Sequence, residues 1–265
     1  MTSETVIAVL RRARSLTRTE LAPLGALLVV ALGVTAFIGI ADDMTEGDGR
    51  AFDQAVLTWM QPVAGQPRGP WWLREAALDI TSLGGIAVLS LFAVATVGFL
   101  LIQRKRLSAL FLALGLAGGV TLSEGLKALF ERERPPVAYQ VVETLNASFP
   151  SGHALMSTVF YLSVAVMMAR AVPTKRLKAY VLGVGMTLAG LVGLTRVYLG
   201  AHWATDVLAG WSVGAAWAMA LWLAAYGAAR LQAARQGPLR DETSAEGETE
   251  PVSDAAENGS ENTPR

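Results

Sequence analysis

The sequence predicts an all-α, polytopic membrane protein of six transmembrane helices with both termini cytoplasmic. Three observations carry that reading. Of its 265 residues 52% are hydrophobic and 17% charged, above and below the ordinary shares of a soluble domain. Six apolar stretches are each long enough to cross roughly 30 Å of hydrocarbon as a helix. Lysine and arginine are also divided unevenly between alternate connections, and this bias sets the orientation of membrane helices.

The spans are drawn at 21–41, 81–102, 107–128, 154–172, 179–198 and 206–229. The first is kept as a span and not a cleaved signal, because its apolar core exceeds the usual length of about 7 to 15 residues. Fourteen cations, among them Arg11, Arg104, Arg176 and Arg230, fall on one side of this layout. Seven fall on the other: Arg50, Arg68, Arg74, Lys127, Arg132, Arg134 and Arg196. The richer side is the cytoplasm, so the connections 42–80, 129–153 and 199–205 face outwards. This layout gives a basic cytoplasmic N-terminus over 1–20, a membrane domain over 21–235 and a tail over 236–265. The tail carries eight acids within 241–265 and almost nothing apolar, so it is expected to be disordered. In the first outer connection Trp59, Trp71 and Trp72 suit an interfacial helix at the headgroup layer.

Cysteine is absent, which excludes disulfides, thiolate nucleophiles and thiolate zinc sites. Formal net charge is zero, and no nucleic-acid partner is expected. There are only two histidines. With the unexpected cations they fall into three clusters, all on the outer side. An ionisable residue at the end of a span marks a functional candidate.

The first cluster is Lys127 with Arg134, seven residues apart ahead of Pro135. Two helical turns would put both on one side before the proline stops the helix. The plain alternative is a pair of snorkelling cations. The second is Pro150-Ser151-Gly152-His153 at the head of a span. Ser151 reads as a helix cap, the first N–H groups are left to bind an anion, and Gly152 lets that anion approach the backbone. An ordinary capped helix with an interfacial histidine would look the same. The third is Arg196, His202 and Asp206. On one helix the last two would share a face, so the carboxylate would fix the imidazole tautomer. A structural His–Asp pair is the alternative there. Zinc held by His153, His202 and Asp206 is a competing chemistry, but three neighbouring cations would repel a divalent ion and complement phosphate oxygens.

Taken together, Lys127 with Arg134-Pro135, then Ser151-Gly152-His153, then Arg196, His202 and Asp206 resemble the three-part signature of the type 2 phosphatidic acid phosphatase superfamily. One position departs from it: Thr195 stands where serine is usual before the arginine. The resemblance implies a membrane lipid phosphatase, and the cation distribution and the Ala, Gly, Arg and Val bias place its site at the extracytoplasmic face of an inner (plasma) membrane. It would hydrolyse a phosphomonoester or pyrophosphate of a lipid such as phosphatidic acid, phosphatidylglycerol phosphate or a polyprenyl pyrophosphate. His202 would be the nucleophile forming a phosphohistidine, Asp206 its orienter and His153 the acid and base. Lys127, Arg134, Ser151, Gly152 and Arg196 would bind phosphate, with no metal and no cofactor. A lipid-to-lipid phosphotransferase and a non-catalytic membrane scaffold remain alternatives. Vanadate-dependent peroxidases share similar motifs, but six spans argue against them.

Overall fold

The structure is a computed structural model that describes residues 18–142, 144 and 146–236. The basic stretch 1–17 and the acidic stretch from 237, for which a cytoplasmic terminus and a disordered tail were expected, lie outside the described residues. The described elements are α1 (Arg18–Glu46), α2 (Gly49–Met60), α3 (Trp71–Ser82), α4 (Ile86–Ile102), α5 (Arg106–Phe130), a 3-10 turn (Val137–Tyr139), α6 (Gly152–Ala171), α7 (Lys175–Tyr198) and α8 (Ala204–Gln236). Among the described residues there is no strand, only an isolated bridge between Val63 and Gln66. The chain divides into two units, Met1–Ala225 and Tyr226–Arg265. In the second, the described residues 226–236 are helical, with the Arg230 guanidinium 5.2 Å from the Tyr226 ring centroid.

Among the described residues five helices, α1, α5, α6, α7 and α8, are long and apolar enough to cross a membrane by themselves. The sixth expected span, 81–102, is a bent pair. α3 and α4 meet at 48° across the break at Leu83-Gly84-Gly85, and α4 alone has 17 residues. The break follows from the sequence: two consecutive glycines cost a helix interior about 1 kcal/mol each relative to alanine, and Gly85 is extended where α4 begins. The tryptophan-bearing connection is helical as expected, forming α2 and α3 with Trp59, Trp71 and Trp72 exposed.

α6, α7 and α8 form the centre. Without a hydrophobic drive between helices in lipid, close approach of small residues holds such bundles together. A Cβ built at Gly210 or Gly214 of α8 would lie 2.7 Å from Ser151 O or 2.8 Å from Leu155 O of α6, so glycine is what permits this spacing. Leu155, Val159 and Val213 fill the seam between α6 and α8. The outer faces of α1 and α4 expose Leu32, Ile38, Leu91 and Ile102, as a helix in hydrocarbon should. Phe149, fully buried, stacks on Phe37 of α1 at 5.7 Å and meets Phe130 edge-on at 5.0 Å. This aromatic cluster anchors the loop leading into α6, which carries Ser148 and Ser151.

Candidate active site

The ends of α5, α6 and α7 and the turn before α8 bring every expected site residue into one region, though not always by the expected local route. Lys127 lies in the last turn of α5, and the helix then stops at Phe130, not at Pro135. Glu131 adopts a left-handed conformation (φ 45°) and donates its N–H to Lys127 O at 3.0 Å, closing the helix with an αL cap. Arg134 therefore stands on a loop, and the two-turn helical alignment of Lys127 and Arg134 does not exist. Its side chain turns inward because every nitrogen finds an acceptor: Nε donates to Asn146 O (2.6 Å), Nη2 to Asn146 Oδ1 (2.8 Å) and Nη1 to Ala201 O (2.7 Å).

Ser151 is the residue before α6, as expected, but its hydroxyl makes no cap. Its own N–H donates to Asp206 O and its carbonyl accepts from Leu155 N, both at 3.0 Å, while its buried Oγ has no partner. The first N–H groups of α6 lack intrahelical acceptors. A Cβ at Gly152 would sit 3.4 Å from Lys127 Nζ and 3.3 Å from Ser123 Oγ, so glycine keeps open the space between that helix end and the lysine. His153 packs against the α3–α4 break. A Cβ at Gly84 would lie 3.3 Å from its ring and collide with Val192. Arg196 is 4% exposed. Its Nη1 donates to Thr81 Oγ1 at 3.0 Å and its Nε has no partner.

His202 and Asp206 do not share a helix either. His202 sits in the turn, and Asp206 is the third residue of α8, where Oδ2 accepts the Trp203 N–H at 2.9 Å in the manner of a capping box. The pair still meets, Nδ1 to Oδ2 at 3.4 Å. On its other edge His202 Nε2 is 3.2 Å from Arg134 Nη1. A guanidinium only donates, so Nε2 carries the lone pair and Nδ1 the proton. Burial pushes the His202 imidazole down to about 4, although Asp206 opposes this, so the ring is neutral near pH 7.

A cavity of about 430 Å³ opens onto these groups. Lys127, Arg134, His153, Arg196 and His202 line one part, and Leu89, Ala93, Leu116, Val120 and Met156 line another. A cationic end holding two unpartnered buried polar atoms, Ser123 Oγ and Arg196 Nε, joined to an apolar wall, suits an amphiphile with an anionic head.

Sequence reasoning missed several residues. Ser123, 2% exposed and without a partner, lines the cavity one helical turn before Lys127 and could have been found from that spacing. Ser148 donates to Asp206 Oδ2. Arg132 donates to Asp206 Oδ1 at 2.5 Å and to Asp53 Oδ2 at 2.7 Å. No local pattern links Asp53 to Asp206, which lie far apart in the chain. Among the described residues, no three His, Cys, Asp or Glu side chains are grouped to hold a metal ion.

The fold and site define a multi-span helical membrane protein with a cation-lined cavity at its helix ends. A model of the PAP2 superfamily matches residues 106–230. Phosphatidylglycerophosphatase B of Bacillus subtilis (strain 168) is 35% identical over 144 residues, 54% of this chain and 70% of that protein. An undecaprenyl-diphosphatase of Sulfolobus acidocaldarius is 29% identical over 120 residues, 43% and 54% of the two chains. The crystal structure of a transmembrane PAP2 type phosphatidylglycerolphosphate phosphatase from Bacillus subtilis superimposes with a TM-score of 0.64 at 29% identity, covering 75% of this chain and 93% of the other. The chain belongs to the PAP2 superfamily, a family of lipid phosphatases.

Proposed function

We propose that this protein hydrolyses the terminal phosphomonoester of a glycerophospholipid, with phosphatidylglycerophosphate as the substrate to test first, through a phosphohistidine at His202. The observation that carries this is the juxtaposition of three cations, two histidines and the unpartnered Ser123 hydroxyl with an apolar wall in one cavity. The Bacillus subtilis sequence relative and solved structure, both named for phosphatidylglycerophosphate, favour that headgroup over a polyprenyl diphosphate.

In this reading Lys127, Arg134, Arg196, Ser151 and the N–H of Gly152 receive the phosphoryl oxygens and stabilise charge as it spreads over them. His202 Nε2 attacks phosphorus in line, the P–O bond to the lipid breaks, and His153 protonates the departing oxygen. His153 then takes a proton from water, whose oxygen attacks phosphorus and breaks the N–P bond, which releases phosphate and restores His202. Asp206 holds the Nδ1–H tautomer and balances the cationic ring of the intermediate. The scheme uses no metal. Residues 21–235 are the membrane domain, with the site on the extracytoplasmic side.

The test is phosphate release in detergent from phosphatidylglycerophosphate, phosphatidic acid and a polyprenyl diphosphate side by side. A kcat/KM at least tenfold higher for phosphatidylglycerophosphate is expected, and equal or better turnover of the diphosphate would remove the substrate choice. Release that occurs only when an acceptor lipid is added would instead mark a phosphotransferase. Orientation is checked with single cysteines in this cysteine-free chain. Cysteine at Ala147 should react with an impermeant thiol reagent in intact spheroplasts and cysteine at Thr174 should not; the reverse pattern would invert the topology.

A further inference from the structure

Asp206 accepts from Ser148 Oγ, from Trp203 N at 2.9 Å and from Arg132 Nη1 at 2.5 Å, so His202, at 3.4 Å, is its most distant partner. Arg132 in turn divides its fork between two carboxylates. Nη2 donates to Asp53 Oδ2 at 2.7 Å, while Nη1 also reaches Thr205 Oγ1 at 2.7 Å. Asp53 comes from α2 and is 2% exposed. It accepts the Thr205 N–H at 2.9 Å and the Thr205 hydroxyl at 2.6 Å, which fastens it to the first turn of α8.

We propose that Arg132 and Asp53 are positioning residues, a charge-balanced clamp that fixes both the orientation of Asp206 and the net charge it presents to His202. The inference rests on the functional reading above and deepens it. Two carboxylates and one guanidinium carry a formal net charge of −1. Were Arg132 alone on Asp206, its charge would cancel the carboxylate and leave nothing to balance a cationic imidazole. Asp53 absorbs the charge of Arg132, so the cluster faces His202 with one negative charge in excess, and that excess is neutralised when Nε2 becomes bonded to phosphorus. As a mere staple between α2 and α8 the arrangement would be a poor choice, because a buried ion pair adds little stability over well-packed apolar side chains.

The other charged or titratable groups around His202 are Arg134 on the loop after α5, His153 on α6, Arg196 on α7, and on α5 Lys127 with its partner Glu124 at 2.9 Å. None of them belongs to the clamp, so changes in the clamp can be read against a constant background.

The experiment uses the two-histidine composition of the chain. In a His153→Asn background, full-length protein labelled at histidine and held in detergent gives one imidazole, His202, whose titration is followed by NMR. Asp53→Asn makes the cluster neutral and should move the His202 midpoint further down. Arg132→Gln makes it −2 and should move the midpoint up, each by on the order of one pH unit. The double variant restores −1 and should bring the midpoint back to within a few tenths of a unit of its reference. With His153 present, Asp53→Asn should lower kcat about tenfold and leave KM within about twofold, as expected when charge balance is lost in the transition state. Arg132→Lys should retain more activity than Arg132→Gln.

Shifts in the same direction, or a fall in kcat that tracks only the folded fraction, would mean a structural staple. If Asp53→Asn does not fold, Arg132→Gln decides: an unmoved His202 midpoint in it overturns the proposal whatever the other variants do. Wild-type turnover separates this inference from the functional reading. An inactive wild type whose clamp variants shift His202 as described would remove the phosphatase reading and keep the clamp, whereas an active wild type with unmoved titration would remove the clamp alone.

Discussion

Arg134 Nη1 lies 3.2 Å from His202 Nε2, so the guanidinium donates to the lone pair that is to attack phosphorus. That contact places a cation at the spot where an oxygen of the substrate must sit once Nε2 and phosphorus approach. Arg134 would then exchange the imidazole for phosphate while Nε and Nη2 stay fixed on Asn146 and Nη1 keeps its bond to Ala201 O.

Arg134→Lys keeps the charge and loses the fork that makes these bonds at once, so kcat/KM for phosphate release should fall about 10²-fold with the protein still folded. A lysine variant with wild-type kcat/KM would show that Arg134 acts only as a distant charge.

Asp206→Asn probes the tautomer. An amide can turn its NH₂ towards Nδ1 and leave the proton on Nε2, which removes the nucleophilic lone pair. The rate should drop by roughly 10² to 10⁴, by analogy with other oriented histidines. His202→Ala should abolish both turnover and acid-labile labelling of the protein by ³²P-lipid; persistent labelling would put the phosphoenzyme elsewhere.

The low proton affinity of His202 also has a signature in stability. The unfolded chain takes up a proton at the ordinary imidazole value of 6.5, whereas the native ring stays neutral until about 4 because it is buried. Between those values the unfolded state binds more protons, so stability falls as pH falls, by up to about 1.4 kcal/mol per pH unit from this group. His202→Asn lacks the group. Its thermal midpoint in detergent should therefore decline less than that of the wild type between pH 6.5 and 4.5, and parallel declines would show that His202 does not have this depressed value.

The spans were legible because bilayer thickness demands an apolar run of near-constant length, and chemistry-bearing residues at the ends of such runs are conspicuous. Where the local route was misjudged, a specific competing interaction decided it. The left-handed Glu131 ended α5 before Pro135 could, and Asp206 capped α8 itself, so its helix starts after His202. Convergence survived because Arg134 and His202 are held by tertiary hydrogen bonds that do not depend on helical phase. Asp53, Arg132 and Ser148 were illegible for a different reason. Each matters only through what it faces across the bundle, and spacing along the chain carries no trace of that.

Vanadate and chelation separate an anion site from a metal site. Vanadate takes the pentacoordinate geometry of phosphorus in transfer, so a cavity lined by Lys127, Arg134 and Arg196 should bind it competitively with substrate. EDTA should leave turnover unchanged, because Asp206 already has its oxygens occupied by Ser148, Trp203 and Arg132 and is not free to ligate. Ser123 sharpens the test. Its buried hydroxyl has no partner and faces the gap between Lys127 and Gly152, so an oxyanion there would satisfy it. Ser123→Ala should weaken vanadate inhibition about ten- to a hundredfold, the usual range for one hydrogen bond to a charged group, without altering the fold. Had His153, His202 and Asp206 held zinc, the pattern would invert: EDTA would abolish activity, added zinc would restore it, and Ser123→Ala would leave vanadate inhibition as it was.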